Sequence, residues 1–192
     1  MKSRPILFSA PMVRALLEGR KTQTRRIVKT RKKLVNRGFS QIQYGAICSE
    51  QPHQCPYGQP GDLLWVRETW ADMQCEPPVA VYRADGERPI TMQWKPSIHM
   101  PRLLSRLTLE ITGMRVERLQ DISAIDASAE GIFTPEIGYA NLGERAPILQ
   151  YARLWEEING AGAWDKNPFV WVLEFTLHHK NIDQLLTERL AA

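Results

Sequence analysis

Several things that would place this chain quickly are missing from it. Cysteine is scarce: Cys48, Cys55 and Cys75 make an odd count that cannot complete a disulfide framework, which fits a reducing compartment. Apolar residues never run near the ~18 that a membrane span needs, so no membrane partner is expected. Met1-Lys2-Ser3-Arg4-Pro5 meets a charged helix too soon to hold the apolar core of a signal peptide, and the expected location is cytoplasmic. Internal repeats, a glycine-rich phosphate loop and a Ser-His-Asp arrangement are absent, and no cofactor is implied.

Acidic residues are also absent from one whole region. Residues 19–49 hold none, yet they hold nine basic ones: Arg20, Lys21, Arg25, Arg26, Lys29, Arg31, Lys32, Lys33 and Arg37. The rest of the chain carries sixteen basic against twenty-one acidic residues, so the whole net charge of +4 is owed to this stretch. Such a patch is the footprint of a protein that meets phosphate, with a solvated basic loop as the plainer alternative.

The 192 residues suffice for one well-buried core, and a single domain over 1–192 is the expectation. Pro5, Ile6, Leu7 and Phe8 read as a first strand, and Ser9 precedes a helix opening near Pro11. Met12, Val13, Leu16 and Leu17 give that helix its face, and Gly19 its stop. The sequence then alternates. Thr22, Thr24 and Arg26 share one face of a strand, and Gln23, Arg25 and Ile27 the other. Lys21 is an odd number of residues from Thr24, so a site using both needs Lys21 in the turn before the strand.

Residues 30–59 lose apolar period and read as a basic insertion or lid. Cys48, His53 and Cys55, with Cys75 as a fourth ligand, would suit zinc, but the paired Cys-x-x-Cys spacing is missing and the expectation is no metal. Leu63, Leu64, Trp65, Val66 and Arg67 form a strand too apolar for the surface, which Trp70 ends. Trp65 reads as core; Trp70 is divided between core and a base-stacking platform. A strand at 79–82 follows. Residues 94–102, with two prolines and a basic, aromatic mixture, suit a pocket rim where Lys95 and His99 touch a ligand.

Leu107, Leu109 and Ile111 alternate with polar residues, and Gly113 marks a bulge or bend. Ser123 caps a short helix that ends near Glu130-Gly131. Residues 133–146 read as a surface loop. Pro147 opens a helix with the stripe Leu149, Ala152, Leu154, Trp155 and Ile158, closed by Asn159-Gly160. A buried strand covers 169–177, and the tail at 178–192 can form a small helix.

Gly19, Lys21 and Arg26 fill the fixed positions of Gly-x-Lys-x-x-x-x-Arg after a short amphipathic helix, and this resembles the signature of the ASCH superfamily. Gly61-Asp62-Leu63-Leu64-Trp65-Val66, the strand at 106–116 and the strand at 169–177 resemble three further motifs in the same order. The resemblance implies an α+β fold built on a PUA-like β-barrel of about five to seven strands with short flanking helices. Within that superfamily the 19–26 stretch is most similar to the small bacterial N4-acetylcytidine amidohydrolases, whose working lysine, threonine and glutamate correspond to Lys21, Thr24 and Glu130. Glu130 is matched by order along the chain, with Glu117 and Glu136 as neighbours in that register.

The implied function is recognition of a nucleoside, nucleotide or RNA, with removal of an acyl group from a modified cytidine as the reaction. A lysine desolvated beside Arg20, Arg25 and Arg26 should become neutral more readily and take the proton of a threonine hydroxyl. Glu130 would donate to the departing amine or hold the base, and Arg26 would steady negative charge on the tetrahedral oxyanion or on a phosphate of the ligand. Arg20, Arg25, Arg26, Trp70, Lys95 and His99 make up the expected binding set. A non-catalytic RNA-binding module and an RNA-cleaving nuclease are the alternatives.

Overall fold

The computed structural model describes residues 1–30, 38–73, 75, 79–86, 92–132, 143 and 145–191. The expected loop at 133–146 therefore lies almost wholly outside the described residues, as do Glu136 and four cations of the basic run, Arg31, Lys32, Lys33 and Arg37. The fold is mixed α+β with five helices among the described residues. The strands are β1 (Ser3–Leu7), β2 (Gln23–Ile27), β3 (Leu63–Arg67), β4 (Trp70–Asp72), β5 (Ala80–Tyr82), β6 (Thr108–Arg118) and β7 (Phe169–His178). The helices are α1 (Ala10–Leu17), α2 (Gln41–Glu50), α3 (Ala124–Ala129), α4 (Arg145–Asn159) and α5 (Ile182–Ala191). Five strands form one sheet in the order β1-β3-β6-β7-β2, and β4 and β5 form a separate ribbon.

The chain divides into two compact units, and β6 and β7 each change unit along their length. The first unit comprises residues 1–19, 60–112 and 175–192. Here β1 runs parallel to β3, and β3 antiparallel to β6 with Leu64 opposite Leu109. Four consecutive buried residues, Leu63 to Val66, show that both faces of β3 are covered, as its uninterrupted apolar sequence requires. Helix α1 starts after Ser9, whose backbone is extended but whose side chain does not cap it, and Gly19 leaves the helix at φ +72°. Trp65 and Leu63 pack against Ile182 and Leu185 of α5.

Trp70 corrects the sequence reading twice. It begins β4 rather than ending β3, and its indole is buried with Met100 and Leu104. A stacking platform needs an open ring face, and this ring is packed in the core and covered by Lys95.

The second unit comprises residues 20–59 and 113–174. Its β2 pairs antiparallel with β7, Gln23 opposite Glu174 and Thr24 opposite Leu173. A core of Leu119, Ile122, Ala127, Tyr151, Trp155, Val170 and Val172 lies among β7, α3 and α4. Helix α2 stands where the sequence offers no apolar period. It is started by a reciprocal capping box between Ser40 and Gln43, and Gly45 lets it approach the Phe169 ring so closely that a Cβ there would sit 2.1 Å from a ring carbon. Gly113 does not interrupt β6, which continues to Arg118.

The inward face of α4 also differs from the expected stripe. Ala146, Tyr151 and Trp155 are buried, whereas Leu149 and Ile158 are 45% and 62% exposed. Leu149 precedes Tyr151 by two residues, which turns it about 200° away round the helix.

Candidate active site

Three consecutive residues ahead of β2 are tied to the end of α3. The Arg20 guanidinium donates to the Gly131 carbonyl at 2.6 Å, Lys21 forms an isolated antiparallel bridge with Glu130, and the Thr22 N–H donates to the Ala129 carbonyl at 2.8 Å. The other side of this junction is set locally. Ser123 caps α3 by accepting from the Asp126 N–H, and Gly131 takes φ +87°, so the helix stops with Glu130 at its end.

This junction buries Lys21 and Glu130 to 3% and 4% exposure and brings their side chains together. Lys21 Nζ donates to Glu130 Oε2 at 2.7 Å and to the Glu130 carbonyl at 2.8 Å. The second carboxylate oxygen, Oε1, accepts from Arg25 at 3.2 Å. Lys21 lies outside β2, as a site built on it and Thr24 requires, yet its side chain joins the same cluster as Gln23 and Arg25. Thr24 is buried in β2 but takes no hydrogen bond in this cluster.

Behind Glu130 the charges continue. Arg25 donates to Glu117 at 2.8 and 3.1 Å and lies 3.5 Å from Asp126. Arg115 joins Glu117, Asp126 and Glu174 at 2.8, 3.1 and 2.6 Å. Gln23 donates to Asp126 at 2.9 Å. Arg25 is therefore a buried structural cation under three carboxylates, not the ligand-facing group of the expected binding set; no solvent-side phosphate can compete for it at this position.

The electrostatics of the pair have clear directions. Burial pushes the Lys21 ammonium below its ordinary value of 10.5; Glu130 opposes this, and Arg26 and Arg25 reinforce it. Burial next to Glu130 raises the Tyr151 phenol well above its ordinary range. For Asp126 burial acts upward, but hydrogen bonds from Gln23 and Ser123 with the charges of Arg115 and Arg25 outweigh it, so its carboxyl is held low. Tyr151 also lies beneath Arg25, 6.0 Å from guanidinium carbon to ring centroid.

Of the expected set, then, Lys21, Glu130, Arg25 and Arg20 meet at one junction. Arg26 sits half-buried on β2, near enough to act on the charge of Lys21. Trp70, Lys95 and His99 belong to the first unit. There Lys95 lies 4.7 Å over the Trp70 ring and 3.4 Å from Asp72, and His99 is exposed on a short turn. Cys48 and Cys55 are buried in the second unit and Cys75 is exposed in the first; among the described residues no three His, Cys, Asp or Glu side chains are grouped to hold a metal ion.

Sequence reasoning missed Tyr151, Gln23, Arg115 and Asp126. Arg115 and Glu117 share a face of β6 by the two-residue period, a signal that marks a charged strand face without naming its partners. Nothing local distinguishes Tyr151 from an ordinary core tyrosine. Compared with protein-family models, curated proteins and solved structures, the chain finds no match.

Proposed function

We propose that the chain is an ASCH-type protein with a PUA-like barrel that recognises a nucleoside and hydrolyses an acyl amide on a modified cytidine such as N4-acetylcytidine. The observation that carries this reading is the buried Lys21–Glu130 pair, 2.7 Å apart between residues 109 positions distant in sequence. A neutral amine has two N–H groups and one lone pair. Glu130 offers two acceptors for those N–H groups, its carboxylate and its own carbonyl, and the lone pair then serves as the base.

In this reading substrate binding brings the Lys21 amine, which rests on Glu130, to the Thr24 hydroxyl, and the hydroxyl loses its proton to it as its oxygen bonds to the acyl carbon. Arg26 steadies the negative oxygen of the tetrahedral intermediate. The proton returns through Glu130 to the N4 nitrogen as the C–N bond breaks, releasing cytidine. Water, deprotonated by Lys21, then attacks the threonine ester. That proton passes from Lys21 to the Thr24 oxygen as the ester C–O bond breaks, freeing the acid and restoring the hydroxyl and the neutral amine. Base removal contributes about 10²- to 10⁴-fold to such a reaction. The order of the motif-bearing strands β2, β3, β6 and β7, all members of the five-stranded sheet, supports the barrel reading.

A small ligand fits better than RNA. Lys21 and Arg25 are buried in ion pairs and Arg20 is turned to a carbonyl, which leaves less of the basic run to phosphate. The test is incubation of the protein and its Lys21→Ala variant with N4-acetylcytidine, followed by chromatography. Cytidine from the wild type, reduced at least ~100-fold in the variant, is the expected result. No turnover by the wild type, with an RNA gel shift that salt abolishes, overturns it in favour of a binding module; RNA shortened by the wild type but not by Lys21→Ala makes the protein a nuclease.

A further inference from the structure

The first unit carries a cleft of about 780 Å³ that the reaction proposed above does not use. Its walls come from the start of α1, the junction after β3, the short helical turn at Arg83–Asp85 and Trp94. Two guanidinium groups, Arg14 and Arg83, line it, and no carboxylate among the described residues does. Arg83 is exposed and its side chain has no hydrogen bond or ion pair among the described residues. Arg14 makes only a long 3.4 Å contact to the Ala84 carbonyl.

The nearest acid on that turn is already neutralised. Asp85 accepts two bonds from Arg106, at 2.7 and 2.8 Å, so its charge is held away from Arg83. Two cations that no carboxylate among the described residues pairs therefore share one cavity wall. Trp94 contributes a half-buried indole, and Ser9 and Thr69 contribute hydroxyls. Ser9 does not use its hydroxyl to cap α1, so that group remains at the cleft. An anion beside it would also meet the positive end of α1, which adds to the two guanidinium groups without replacing them.

We propose that this cleft binds a nucleotide, with the phosphate on Arg14 and Arg83 and the base against Trp94. Guanidinium forks match phosphate oxygens, an indole face accepts any base by stacking, and the volume exceeds what a phosphate alone would fill. The same chemistry is presented by a free nucleoside monophosphate and by one residue of a single-stranded RNA.

The experiment titrates the full chain by calorimetry with adenosine 5′-monophosphate, adenosine, inorganic phosphate and a short single-stranded oligoadenylate. Binding of the monophosphate, with adenosine and phosphate each weaker, is expected. Arg83→Ala and Trp94→Ala should each weaken it about tenfold or more, and Trp94→Phe, which keeps a stacking ring, should restore most of it. Equal affinity for monophosphate and oligomer assigns a free nucleotide; tighter oligomer binding with a steep salt dependence assigns RNA. No monophosphate or oligomer binding at millimolar concentration, or binding indifferent to both Arg83→Ala and Trp94→Ala in folded protein, overturns the proposal. Lys21→Ala, in the other unit, should leave this binding unchanged, so the two sites fail or stand separately.

Discussion

Glu68 in the first unit and Glu130 in the second are both buried, at 1% and 4% exposure, and both are held by cations. Glu68 takes the two-pronged grip of Arg106 at 2.9 and 3.0 Å, and that guanidinium also grips Asp85 and stacks 3.9 Å over the Tyr82 ring. Glu130 is held by a lysine as well as an arginine. The difference lies in what each cation can lose. Arg106 is held even more firmly protonated than usual by Glu68 and Asp85, so its cluster can only bind and brace. Lys21 is driven the other way by burial, so its cluster can exchange a proton. Two buried carboxylates held by cations thus divide, under the proposed function, into a brace and a reactive pair by the choice of cation.

Exchanging the acids tests that contrast most strongly. Glu130→Gln removes the group that relays the proton in the proposed reaction and should lower amide turnover by about 10²- to 10⁴-fold, whereas Glu68→Gln should leave turnover of folded protein intact; parallel kinetic assays decide. Breaking the brace comes next. Arg106→Met leaves Glu68 buried and unpaired, and because the arginine is about a quarter exposed the loss should be about 2–4 kcal/mol, read from urea unfolding, with little change in turnover.

The pH dependence sharpens the same point. The folded-state pKa of Lys21 is lowered, so between that value and 10.5 the unfolded chain binds more protons than the folded one. Stability attributable to Lys21 therefore rises with pH across that window, and Lys21→Met should flatten the rise. Turnover should climb through the lowered pKa, below 10.5, as the amine becomes neutral. Glu130 acts upward on Lys21, so in Glu130→Gln whatever activity remains should climb at lower pH still. The smallest effect concerns the cluster's edge. Gly113→Ala would place a Cβ 2.7 Å from Glu174 Oε2, but that carboxylate is flexible and half-exposed, so stability should move by less than about 1 kcal/mol and turnover not at all.

Much of this was legible beforehand where a residue's local chemistry decides its place. The four apolar residues of β3, the Ser123 cap and Gly131 stop of α3, and the long run of β7 all follow from local pattern. Parity required Lys21 ahead of its strand only if one site uses both Lys21 and Thr24; Lys21 does lie ahead of β2, but its side chain goes to the cluster of Gln23 and Arg25. The rest depended on partners far away in sequence. Alternation put Arg25 on a face but not beneath Glu117, Asp126 and Glu130, and nothing near Tyr151 announces Glu130. Helix α2 had a legible start in Ser40 and Gln43 but no apolar period to sustain it, because its contact with Phe169 is made through the absence of a side chain at Gly45.

The bridge between Lys21 and Glu130 also sets an order of events during synthesis. The residues around Lys21 leave the ribosome early, and the carboxylate that partners it follows 109 residues later. Closing so long a loop carries an entropy cost that grows only slowly with its length. Until α3 has emerged, Lys21 is a hydrated, protonated amine with ordinary basicity. Its shifted proton equilibrium is created by burial in the folded unit rather than by the segment that carries it, so a nascent or truncated chain holding the whole 19–26 motif would still lack that shift.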